Sequence, residues 1–93
     1  MNQMKEIDEI LKEIIKTQLN NEDLIITSDT NLISDLGMES ISLMRFVIEI
    51  EERLEIELPD DFFTLEKLSN YKAMTELLSN LLKSKNINIF DNN

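Results

Sequence analysis

The chain has no cysteine, no histidine and no tryptophan, and it has one glycine and one proline in 93 residues. Without cysteine there are no disulfides, no thiolate metal sites and no thiol nucleophile. Without histidine as well, Ser-His-Asp catalysis and most zinc or iron sites are excluded. A single glycine cannot build a glycine-rich phosphate loop, and one glycine with one proline cannot supply the turns of an all-β fold. There is no apolar run long enough for a membrane span and no signal-peptide pattern, so a cytoplasmic chain without membrane insertion is expected. Basic charge is also scarce: 9 Lys and Arg stand against 19 Asp and Glu, net −10. Such a surface repels nucleic acid and anionic membranes. A calcium loop of the D-x-[DN]-x-[DN]-G type is missing, and no metal site is expected.

Apolar residues are plentiful. Leu, Ile, Val and Phe make up 32 of the 93, enough for one packed core but not for two. Met4, Ile7, Ile10, Leu11, Ile14, Ile15 and Leu19 repeat at helical spacing and predict a first helix over 4–19. The stretch 20–39 has no helical period. It is rich in turn and cap residues, but Leu24, Ile25, Ile26, Leu32, Ile33 and Leu36 could pin it across the core, with a helical turn of its own. A second helix follows from Ser40 to about Leu54. It carries two apolar stripes: a broad one of Leu43, Phe46, Val47, Ile50 and Leu54, and a narrow one of Ile41, Met44 and Ile48 roughly 120° away. Leu58-Pro59 breaks the pattern. Asp60 and Asp61 open a short helix to about Leu68, and Ser69 or Asn70 can cap a last helix to about Lys83. The expectation is an all-α, three-to-four-helix bundle with a long loop between helices one and two. It forms one domain over 1–84, with a frayed tail over 85–93 from which Ile87, Ile89 and Phe90 could pack back.

The local feature that stands out is Asp35-Leu36-Gly37-Met38-Glu39-Ser40-Ile41. Taken alone, Ser40 reads as a helix N-cap, a position that favours serine. The segment also resembles the acyl and peptidyl carrier proteins, whose hallmark is Gly-x-Asp-Ser-Leu at the start of the second helix. Here the five residues are Gly37-Met38-Glu39-Ser40-Ile41. The resemblance covers roughly Met4 to Leu82 and includes the run from Glu51 to Asp61, Glu-Glu-Arg-Leu-Glu-Ile-Glu-Leu-Pro-Asp-Asp. Glu39 stands for the usual Asp and Ile41 for the usual Leu, so charge and bulk are kept.

The resemblance implies a non-enzymatic, free-standing carrier, monomeric and acted on by other enzymes. Ser40 would bear a 4′-phosphopantetheine arm donated from coenzyme A by a phosphopantetheinyl transferase. The arm's thiol would hold a fatty acyl, polyketide or aminoacyl cargo as a thioester. Asp35, Gly37, Met38, Glu39 and Ile41 would form the recognition element around Ser40. Partner enzymes with basic docking surfaces would meet Ile41, Met44, Arg45, Ile48, Glu49 and Glu52. Arg45 stands where many fatty-acid carriers have an acid, which points to partners of its own. From Asp35 to Glu66 there are ten acids and two bases, so the acidic charge is concentrated on the side this reading needs. The competing reading is an acidic helical adaptor that binds a partner peptide or helix, with Ser40 only a cap.

Overall fold

The computed structural model describes residues 3–91, and side chains over 4–84. Helix α1 spans Gln3–Leu19, α2 spans Ser40–Leu54, a 3-10 turn covers Asp60–Phe62, α3 spans Leu65–Leu68 and α4 spans Tyr71–Asp91. The expected all-α bundle is therefore present, and no strand occurs among the described residues. Ile7, Leu11, Ile14 and Ile15 of α1 meet Leu43, Phe46, Val47 and Ile50 of α2 and Met74 and Leu78 of α4 in one buried cluster. The apolar spacing of each helix produces this directly, because residues three and four apart lie on one face.

The loop over 20–39 is held from within. Ile26, Leu32 and Met38 are buried with the helices. The Leu32 N–H donates to the Ser69 carbonyl at 2.8 Å, and the Met38 N–H donates to the Leu32 carbonyl at 3.0 Å. The Tyr71 N–H reaches the Thr30 carbonyl at 3.3 Å, so the loop is stitched to the α3–α4 junction on both sides of Asn31. The loop does contain a helical turn. Asn31 Oδ1 accepts from the N–H groups of Ile33 and Ser34, and Asp35 Oδ2 accepts the Asn31 N–H at 2.8 Å. This reciprocal capping closes one turn with no apolar period behind it.

Helix α2 ends at Leu54 as expected, whereas the short helix over 60–68 and the end of α4 differ from the reading of the sequence. Helix α2 stops before Pro59, because Glu55 takes a left-handed conformation (φ 55°) and its N–H returns to the Glu51 carbonyl. Glu51 Oε2 then accepts the Leu58 N–H at 2.9 Å and fixes the exit of the chain. The expected short helix over 60–68 is split, since Thr64 restarts it by accepting the Lys67 N–H. Asn70, not Ser69, caps α4: its side-chain oxygen accepts the Ala73 N–H at 3.0 Å, while the Ser69 hydroxyl bonds the Glu66 carbonyl. The backbone of α4 continues to Asp91, past the expected end near Lys83. The side chains of Ile87, Ile89 and Phe90 lie outside the described residues.

The first turn of α4 is tied to α1 by a polar contact at the edge of the core. The buried Tyr71 hydroxyl donates to Asp8 Oδ1 at 2.5 Å, and Lys12 pairs with Asp8 Oδ2 at 3.0 Å. Partial burial works against ionisation of Asp8, but the Tyr71 hydroxyl and Lys12 outweigh it and lower its pKa. Burial, then Asp8, push the Tyr71 phenol far up. A carboxylate with a depressed pKa contributes stability above its unfolded pKa, near 4, and loses it as pH falls through the folded value. Tyr71→Phe should therefore cost about 1 kcal/mol at neutral pH, and less once Asp8 is protonated. Urea midpoints across the acid limb check this, and an equal cost at pH 7 and below pH 3 would contradict it.

Candidate functional site

The two stripes of α2 have different fates. The broad stripe is buried, apart from the half-buried Leu54. The narrow stripe faces solvent, with Ile41 66 %, Met44 42 % and Ile48 51 % exposed. One helix thus presents an apolar ridge on its outer side, the kind of surface that a binding partner covers.

The approach to α2 is set by two residues. Gly37 has φ +74°, and its N–H reaches the Ile33 carbonyl at 2.8 Å to end the loop turn. A Cβ there would meet nothing within 4 Å, so the glycine is required by conformation, not by space. Met38 then turns inward and is buried. Met38 is one of the residues expected to form the recognition element around Ser40, and its side chain lies in the core and anchors the loop immediately before α2. The Asp35 carboxylate is likewise engaged in its own turn through the Asn31 N–H.

Ser40 is not a cap. Extended Glu39 occupies that position (φ −99°, ψ 171°) without a side-chain hydrogen bond, and Ser40 is the first helical residue. The first bond of the helix runs from the Leu43 N–H to the Glu39 carbonyl at 2.9 Å. The three amides before it have no intrahelical acceptor, as at any helix start. Ser40 itself is exposed. The cap reading, on which the adaptor alternative relied, is corrected by this geometry. Gln18 of α1 holds the first turn of α2 in place, with Nε2 donating to the Ser42 carbonyl at 2.6 Å. No sequence pattern announces that contact.

The acids expected around the ridge divide. Glu39 and Glu52 are exposed. Glu49 is half-buried, and Arg53 joins it at 3.4 Å while also reaching Glu13 of α1 at 2.5 Å. Arg45 is exposed and has no ion pair among the described residues. An open groove of about 350 Å³ between α1 and α2 is lined by Gln18, Arg45, Ile48, Glu49 and Arg53, with Ile14 and Thr17. Phe63, between the 3-10 turn and α3, and Leu65, at the start of α3, are also exposed, and elements this short show no helical period that would have marked them. No group of three or more acids is placed to hold a metal ion among the described residues. No helix there is long and apolar enough to cross a membrane.

A family model described as a phosphopantetheine attachment site matches residues 9–78. An acyl carrier protein of Guillardia theta is 37 % identical over 75 residues, which cover 81 % of this chain and 90 % of that protein. An acyl carrier protein of Campylobacter hominis is 31 % identical over 80 residues, covering 86 % of this chain and 99 % of that protein. One from Campylobacter lari is 27 % identical over 73 residues, covering 78 % and 92 %. The chain belongs to the acyl carrier protein family.

Membership makes it a carrier and not a catalyst, with 4′-phosphopantetheine as its prosthetic group. It also implies work with a phosphopantetheinyl transferase and with enzymes that handle the cargo. The start of α2 fits such a group: an exposed hydroxyl stands where unpartnered amides and the helix dipole favour a phosphate.

Ser40→Ala removes a hydroxyl that caps nothing, so its stability should stay within about 0.5 kcal/mol of the native chain. Gly37→Ala forces an L side chain into the left-handed region and should cost about 1–2 kcal/mol. Thermal or urea unfolding of the two variants distinguishes them. A Ser40→Ala cost as large as that of a lost cap, about 1 kcal/mol, would contradict the geometry.

Proposed function

We propose that Ser40 is the attachment site of the phosphopantetheine arm. On this reading the chain carries an acyl, aminoacyl or polyketide group as a thioester and presents it to partner enzymes. When bound, the arm supplies a terminal thiol that holds the cargo. The chain's own residues position and display it. The observation that carries the reading is the exposed, non-capping Ser40 at the first residue of α2, directly before the exposed Ile41–Met44–Ile48 ridge.

Each neighbour has a distinct part. Gly37 turns the chain into α2, Met38 anchors that entry in the core, and Asp35 closes the preceding turn. Glu39 and Ile41 flank the hydroxyl and are the residues a transferase can touch from outside. The ridge of Ile41, Met44 and Ile48 docks partner enzymes, with exposed Glu39 and Glu52 meeting their cations. Complementary charge of this kind speeds encounter more than it tightens the complex, which suits a carrier that must leave each partner. Methionine at the centre of the ridge adapts to differently shaped partners.

The test is the intact mass after incubation with a broad-specificity phosphopantetheinyl transferase and coenzyme A. The native chain should gain one phosphopantetheine, and Ser40→Ala should gain none. A folded native chain that gains nothing, or a Ser40→Ala chain that still gains it, would overturn the assignment.

A further inference from the structure

The docking face carries one cation that the chain itself leaves unused. Between Asp35 and Glu66 the only bases are Arg45 and Arg53. Arg53 is consumed internally, bridging Glu49 on its own helix and Glu13 on α1. The chemistry of helices explains why it, and not Arg45, takes Glu49. An acid four residues before a base is the favourable order, and Glu49–Arg53 has it. Arg45–Glu49 has the reverse order. Arg45 is left exposed, four residues after Ile41 and three before Ile48, beside the ridge and at the lip of the α1–α2 groove.

We propose that Arg45 is a specificity-determining residue: it disfavours partners whose docking surface is uniformly basic and selects a partner enzyme that sets a carboxylate against it. This rests on the reading of the ridge as the docking face. A wholly cationic surface laid over Ile41, Met44 and Ile48 gains attraction at Glu39 and Glu52 but places a cation against Arg45. Like-charge juxtaposition at an interface is costly, and discrimination between partners uses such repulsion as much as attraction. The matching partner is mixed: apolar side chains over the ridge, cations toward Glu39 and Glu52, and one Asp or Glu over the groove lip. Glu49, which lines the same groove, makes no ion pair with Arg45 and instead meets Arg53 at 3.4 Å.

The experiment uses the whole apo chain and a phosphopantetheinyl transferase with a basic docking surface. Steady-state kinetics are measured for the native chain, Arg45→Gln and Arg45→Glu at low and high salt. Arg45 has no ion pair to lose, so both variants should fold as the native chain does, which circular dichroism checks. At low salt KM should fall roughly threefold for Arg45→Gln and roughly tenfold for Arg45→Glu. The change should leave kcat in place and shrink at high salt, as expected of exposed charges. Reversing a docking cation of the transferase to Glu should move the preference back to the native chain. Equal or higher KM for the variants at low salt, or a change confined to kcat, overturns the role of Arg45 while leaving the carrier reading intact. If neither the native chain nor either variant is modified at all, the carrier reading fails and this inference with it.

Discussion

The functional end of the molecule depends on the way a loop without helical period is pinned to the core. Leu32 and Met38 are buried, and their N–H groups are bonded to the Ser69 and Leu32 carbonyls. Leu32 lies within the Asn31–Asp35 capping exchange, and Met38 directly follows the Gly37 turn. Together they decide where the chain enters α2. A loose loop of this length would leave the first residue of α2 without a defined position, since ordering each backbone residue costs about 1–2 kcal/mol. Burial of the Leu32 and Met38 side chains works against that cost at the two points nearest the α2 entry.

With its entry fixed, α2 serves two purposes on two faces. Leu43, Phe46, Val47 and Ile50 hold it in the bundle, while Ile41, Met44 and Ile48 remain outside. The outer face is affordable only because the inner one is so fully packed. Charge follows the same division. Acids on the docking side stay exposed at Glu39 and Glu52, while Glu49 and Glu51 do structural work, one through Arg53 and the other through the Leu58 N–H. The acidic face is therefore less uniform than its composition implies, and Arg45 stands out against it.

Helices α1 and α2 were legible because their apolar residues recur at a period that only a helix aligns, and the second stripe of α2 was legible for the same reason. The narrow stripe was expected to be the one partners meet, and it does face out; periodicity alone does not say how many neighbours a helix has, and the packing of α1 and α3 on α2 leaves that stripe uncovered. The burial of Met38 was not legible from its place between Gly37 and Glu39, because it depends on the turn that the left-handed glycine makes. Ser40 looked like a cap because serine favours that position, but extended Glu39 takes the cap and Ser40 is the first helical residue, where the helix was expected to begin. The Gln18–Ser42 contact and the Arg53 bridge to Glu13 join residues far apart in the chain and leave no local trace.

The central claim is that the loop presents Ser40 from a fixed base, and native-state hydrogen exchange tests it most directly. The amides of Leu32 and Met38 should exchange about as slowly as those in the buried middle of α2, because their bonds open only with the core. The amide of exposed Ile25 should exchange far faster. Leu32 and Met38 amides exchanging as fast as that of Ile25 would contradict the account, because the base that positions Ser40 would then be loose.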